Sequence, residues 1–273
     1  MASSEVLAEN IHAYQELNPP DTHTVILIGG ATEGIASQQP FAEALLTEGF
    51  RVVSYDYVTS PTDNTGSSSR YLAAKVNQAA DVLKSVANKR GKVTLFGHSL
   101  GTIIAIEAAL RNPEGIERII LANPAGLFED SFPRLAGRFA LETVSKTTTL
   151  TASAQIKQKE AVKYMAKHPI SYIGDAVGIA QSDIRGGLIK LQEAGVEVDL
   201  LLSAKDRVFP WRLQQGYFIG QDREHFDFNS VSMYFHTKPR RRQHRPASNW
   251  EGHDQNLFYP EQTARLVSQL VAQ

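Results

Sequence analysis

Apolar positions along the chain change period repeatedly, from short continuous runs to stretches with helical spacing. Val25–Ile28 is an unbroken apolar run closed by Gly29 and Gly30, the pattern of a strand buried on both faces. Phe41–Leu46 takes helical spacing, with Gly49 placed to cap it. Arg51–Asp56 reads as a second strand. From Ser68 to Lys89, Leu72, Val76, Ala79, Val82, Leu83 and Val86 form one helical stripe that Gly91 ends. Val93–Phe96 predicts a strand, Thr102–Leu110 a helix and Arg118–Leu121 a strand. Later, Gly186–Ala194 predicts a helix, Glu197–Leu202 and Val231–Phe235 strands, and Glu261–Val271 a closing helix. Near the start, Asn10–Leu17 alternates in the manner of an antiparallel edge strand.

Strands alternating with helices imply an α/β fold, a mostly parallel central sheet flanked by helices on both faces. In such sheets ligands sit outside the carboxyl ends of the strands, so the chemistry is expected in the loops that follow them. The rhythm stops between Gly126 and about Asp183, where the chain is helical in character with breaks at Pro133, Pro169 and Gly174. Because this segment interrupts the chain at a strand's carboxyl end, it reads as a helical cap, residues 127–182, inserted into a core made of residues 1–126 and 183–273. Extra helices packed elsewhere on the core are the plainer alternative.

Composition narrows the function classes. Lys and Arg number 28 against 29 Asp and Glu, a balance that argues against a chain built to coat nucleic acid or anionic membrane. With no cysteine, disulfide scaffolds, Cys-ligated metal sites and thiol nucleophiles are excluded. No run of about 18 apolar residues predicts a membrane-spanning helix. The first twenty residues hold neither a basic region nor an apolar run, so no secretory signal is expected and the cytoplasm is the default location. No metal and no cofactor are expected, and the oligomeric state is left open.

Gly97-His98-Ser99-Leu100-Gly101 is a G-x-S-x-G placed directly after a predicted strand and before a predicted helix. A serine on so tight a turn is held in strained backbone geometry with its Oγ raised above the sheet, and its flanks must be small because strand and helix pass close together. The following helix adds unpaired N–H groups where an oxyanion develops. A Gly-flanked turn without chemistry is the competing reading.

On these residues the chain resembles the α/β-hydrolase superfamily from about Asn10 to Gln273. The resemblance implies a triad in the order nucleophile, acid, histidine. Ser99 takes the first place. Asp206, in Ser203-Ala204-Lys205-Asp206-Arg207-Val208-Phe209-Pro210 after the run Val198–Leu202, matches the family's acid loop. Asp175, Asp183 and Glu129 are competing acids, but they fall in the cap or at its edge. His253, in Gly252-His253-Asp254 ahead of the closing helix, takes the base position. His98 adjoins Ser99, yet neighbours on a sharp turn point apart. It is expected to pack behind the nucleophile, with contact to substrate as the other reading.

The resemblance also implies an oxyanion hole from the N–H of Leu100 and from the loop Ile28-Gly29-Gly30-Ala31, with Ala31 or Gly30 as donor. Two departures stand out: Gly29 occupies the place of the family's usual His, and Tyr57-Val58-Thr59-Ser60-Pro61 replaces its usual Arg-Gly-His-Gly-x-Ser. A serine at the elbow, where dehalogenases and epoxide hydrolases of this fold use Asp, implies acyl transfer on a small-molecule substrate. A carboxylic ester leads, with thioester, amide or C–C cleavage and a hydrolase-like receptor as alternatives. Lys238, Arg240, Arg241, Arg242 and Arg245 crowd the stretch before His253. They read as a solvated loop or, with Arg241 and Arg242 as the fork, as a clamp for an anionic substrate.

Overall fold

A computed structural model of the chain describes residues 11–14, 22–57, 68–128, 130–146, 152–203, 206–214, 228, 230–234 and 253–273. Seven strands form one sheet: β1 (Ile11–Tyr14), β2 (Thr24–Ile28), β3 (Arg51–Tyr55), β4 (Val93–His98), β5 (Ile116–Ala122), β6 (Glu197–Ser203) and β7 (Ser230–Tyr234). Their order across the sheet is β1-β3-β2-β4-β5-β6-β7. Among the described strands β1 alone runs antiparallel, against β3, as the alternation of Asn10–Leu17 predicts; residues 10 and 15–17 of that stretch lie outside the described ones. Every other neighbouring pair is parallel.

Continuous apolar runs make sense because successive side chains in a strand face opposite sides and both sides are covered. Ile26, Ile28, Val53, Leu95, Ile119, Leu121, Leu200 and Leu202 join one core cluster. Val25, Leu27, Val52, Phe96, Ile120 and Leu201 point the other way into a second. The first face is covered by α2 (Ser68–Arg90), α3 (Leu100–Ala109) and α7 (Arg185–Glu193), which contribute Val82, Ile104 and Leu188 among others. The second is covered by α1 (Ile35–Thr47) and α8 (Pro260–Val271), through Phe41, Leu45, Val267 and Leu270. Register is reinforced between β5 and β6, where the buried Arg118 pairs with Asp199 and Glu197.

Helix α1 starts earlier than the apolar spacing indicated. It includes the polar Ser37, Gln38 and Gln39 as well as Pro40. The start is secured by Asp56, whose Oδ1 accepts the Ile35 N–H at 2.8 Å, and by the Ser37 hydroxyl, which donates to Gly34 O at 2.9 Å. Strand β4 also runs two residues beyond its apolar stretch, because Gly97 and His98 stay in register with Leu121 and Ala122 of β5.

Between β5 and α7 the chain forms α4 (Phe132–Lys146), α5 (Ala152–Lys167) and α6 (Pro169–Gln181). This excursion leaves after Gly126 and returns at Ile184, whose N–H donates to Gly126 O at 3.0 Å, so its two ends are stitched together. It is tied to the core by a buried ion pair. Lys75 Nζ on α2 donates to both carboxylate oxygens of Asp175 on α6 at 2.6 Å, and both side chains are 0% exposed. The Tyr164 hydroxyl on α5 accepts from the same ammonium at 3.3 Å, and the ammonium lies 5.0 Å from the centre of the Tyr57 ring. Burial pushes the Lys75 ammonium down and the Asp175 carboxyl up from their ordinary ranges, while each charge opposes the other's shift. Lys75→Met alone should therefore cost about 3–5 kcal/mol by stranding the carboxylate, and Lys75→Met with Asp175→Leu should recover most of it. Chemical denaturation of the two variants checks this.

Candidate active site

The candidate residues gather at the carboxyl ends of β2, β4, β5 and β6, where the strand order changes direction, the place that open α/β sheets reserve for ligands. Ser99 stands between β4 and α3 with φ 55° and ψ −121°, in the left-handed half of the map that side chains avoid. The turn is forced by proximity. A Cβ on Gly101 would lie 2.0 Å from Ile28 O, and one on Gly97 would lie 2.9 Å from Gly101 O. Thr102 secures it from below, its hydroxyl donating to Ser99 O at 2.6 Å.

The elbow aims Ser99 Oγ at His253, with 2.8 Å to Nε2. On the far side of that ring, Nδ1 lies 2.8 Å from Asp206 Oδ2. The other oxygen of Asp206 accepts the N–H groups of Val208 at 2.7 Å and Phe209 at 2.9 Å, which leaves Oδ2 facing the histidine. The contact to a carboxylate sets the tautomer: Nδ1 holds the hydrogen and Nε2 is left to accept the serine proton. All three residues are buried. The His253 ring is walled by Phe209 and Phe139, with centroids at 5.2 Å and 6.3 Å. Little water reaches the chain of contacts, which strengthens each of them.

Of the other expected positions, Gly30 packs against Ser99, since a Cβ there would come 3.3 Å from that of Ser99. Its neighbour Ala31 lines a cavity of about 240 Å³, shared with Asp56, Tyr57, Lys163, Tyr164, Lys167 and others. Leu100 opens α3. The Tyr57 hydroxyl donates to Gly29 O at 2.6 Å and fixes the same loop. His98 is buried, Nδ1 lying 2.7 Å from Glu33 Oε1 and Nε2 2.7 Å from His253 O. The competing acids are engaged elsewhere: Asp175 with Lys75, and Asp183 with Arg185 at 2.6 Å. Glu129, Arg241, Arg242 and the rest of the basic stretch 238–245 lie outside the described residues.

Sequence patterning did not find Glu33, Asn123 or Glu142. Asn123 follows β5 with φ 45°, a conformation that asparagine tolerates better than most residues; the Asn123-Pro124 pair at a strand end was the available signal. Glu142 reaches down from α4 to accept the His253 N–H at 3.2 Å. Ligand atoms of His98, His253 and Asp254 fall within 4.8 Å of one another. However, both ring nitrogens of each histidine already face protein partners, so a cation would have to displace one contact at each ring.

This sheet order and elbow define an α/β hydrolase, and solved structures of that fold superimpose over nearly the whole chain. A hydrolase from Pseudomonas aeruginosa PA01 covers 96% of this chain and 94% of its own, with TM-score 0.65 at 16% identity. An esterase from Exiguobacterium antarcticum covers 96% of each chain, with TM-score 0.64 at 19% identity. Residues 19–236 match the family described as serine aminopeptidase, S33, and the chain belongs to that family of hydrolases. It is also similar to the "Putative carbamate hydrolase RutD" of Rhizobium rhizogenes, 36% identical over 108 residues, or 39% of this chain and 40% of the relative. The match thus spans about two fifths of that curated relative's length. Among the described residues no helix is long and apolar enough to cross a membrane.

The close backbone approach at the elbow yields a stability test. Gly101→Ala should lose at least about 3 kcal/mol or fail to fold, because the added methyl meets fixed backbone. Gly137→Ala, at an exposed position of α4 with nothing within 4 Å of the new Cβ, should gain about 0.5–1 kcal/mol. Melting both variants beside the parent protein measures the contrast.

Proposed function

We propose that the protein is a serine hydrolase that transfers the acyl group of a small or medium carboxylic ester to water, using Ser99, His253 and Asp206. The observation that carries this reading is the continuous line of contacts from Ser99 Oγ through the His253 ring to Asp206 Oδ2, at 2.8 Å on each side. In the first half-reaction His253 Nε2 takes the serine proton as Oγ attacks the ester carbonyl carbon. Asp206 accepts the Nδ1–H bond and stabilises the imidazolium. The N–H groups of Leu100 and Ala31 receive the oxyanion, the first reinforced by the amino end of α3. The imidazolium then gives its proton to the departing alkoxide, leaving an acyl-serine. Water, deprotonated by the same nitrogen, releases the acid and restores Ser99.

Residues 127–182 act in this account as a cap over the site, which fits their stitched ends and the Phe139 contact to the His253 ring. The cavity of about 240 Å³ beside Ala31 adjoins the loop proposed to receive the oxyanion, and its lining includes Lys163 and Lys167. A carbamate is the second reading, favoured by the likeness to the RutD relative, and it uses the same attack on a carbonyl flanked by nitrogen.

Steady-state kinetics on p-nitrophenyl esters of increasing chain length test the proposal. Ser99→Ala and His253→Ala should each lower kcat by several orders of magnitude. Asp206→Asn should lower it by about three to four, with the fold intact by circular dichroism. Full activity in Ser99→Ala overturns the mechanism. Ammonia release from ethyl carbamate, set beside ester turnover, decides between the two substrates: faster carbamate cleavage would replace the ester reading.

A further inference from the structure

Most described hydrogen-bonding groups around the active site hold the His253 side chain or the serine, but a separate set grips the His253 peptide. Its carbonyl oxygen faces two donors, Asn123 Nδ2 and His98 Nε2, each at 2.7 Å. Asn123 Oδ1 in turn accepts the Ser203 N–H at 2.7 Å, anchoring it to the end of β6. On the other side, His98 Nδ1 lies 2.7 Å from Glu33 Oε1, and both side chains are 1% exposed. Glu33 is folded into the loop after β2, its N–H donating to Gly30 O at 3.1 Å and its carboxylate packed beneath Gly30. The ends of four neighbouring strands, β2, β4, β5 and β6, are thereby joined in one transverse line through the carbonyl of His253.

The protonation of this line follows from its partners. A carbonyl oxygen only accepts, so His98 Nε2 carries a hydrogen; a carboxylate beside Nδ1 requires a second proton between the two. Both ring nitrogens of the side chain beside Ser99 are therefore engaged, Nδ1 by Glu33 and Nε2 by the His253 backbone. Its geometry suits holding rather than touching substrate.

We propose that Glu33 and His98 are positioning residues for the hydrolysis, fixing the His253 main chain so that its Nε2 stays within reach of Ser99 Oγ. The inference rests on the triad reading above. A displacement of the base by about 1 Å costs on the order of 100-fold in rate, so the loss of one carbonyl donor is expected to appear in kcat rather than in binding.

Two substitutions separate the two ends of the His98 ring. The amide of His98→Gln reaches the place of Nε2 and keeps a donor toward His253 O. The amide of His98→Asn reaches only the place of Nδ1, keeping the Glu33 contact and losing the carbonyl. Ester turnover is measured per active site, with sites counted by stoichiometric labelling with a fluorophosphonate, so that a smaller folded fraction does not register as slower chemistry. His98→Asn should show kcat per site lower by about 10- to 100-fold with KM changed less than about 3-fold, and His98→Gln should recover at least half of that loss on a logarithmic scale. Glu33→Leu should give a smaller decrease of the same kind, and it serves as the test if His98→Asn does not fold. Equal kcat per site for the Asn and Gln variants, or an unchanged kcat in a folded Glu33→Leu, overturns the proposal. Ser99→Ala is run alongside: if it is inactive while the His98 variants match the parent, only the positioning role fails, whereas an active Ser99→Ala removes the mechanism beneath it.

Discussion

The site depends on how closely one helix is allowed to approach one strand. With Ile28 O only 2.0 Å from where a Gly101 Cβ would stand, the first turn of α3 lies against the end of β2. That approach bends the chain through a positive φ at Ser99 and lifts Oγ out of the sheet. The same contact brings the Gly30–Glu33 loop beside Ser99, so the elbow and the proposed oxyanion loop share one steric cause. Residues from four separate strand ends then need only short loops to converge on the spot.

The second organising element is the histidine, which arrives from the far end of the chain. Its ring is oriented by Asp206, and its peptide is held by Asn123, His98 and Glu142. Glu142 belongs to α4, within the helical excursion that Lys75 and Asp175 anchor to α2. Helix α4 is thereby linked to α2 through its own excursion and to His253 through Glu142, so a rearrangement of α4 would reach the histidine directly.

The sheet was legible because both of its faces are covered. Continuous apolar runs such as Val25–Ile28 have no other economical use, and the alternation of Asn10–Leu17 marked the one antiparallel edge. Element limits were less legible where polar residues are held by specific contacts, as at Gln38 and Pro40 in α1, or where a strand continues on ladder bonds alone, as at Gly97 and His98. Ser99, Asp206 and His253 could be picked out because each stands at a fixed place relative to a strand or the last helix. Glu33, Asn123 and Glu142 could not, because their shared partner is the backbone of a residue more than a hundred positions away, or reached through His98, and no periodicity announces such a contact.

In the proposed reaction Ser99 Oγ is the attacking atom, and the N–H groups of Leu100 and Ala31 receive the charge it generates. A crystal structure of the protein after reaction with an alkyl fluorophosphonate tests it most directly. The account predicts a covalent bond from Oγ of Ser99 to phosphorus, with the phosphoryl oxygen about 2.7–3.1 Å from both N–H groups. An adduct on another side chain, or a phosphoryl oxygen turned away from Leu100 and Ala31, would contradict it.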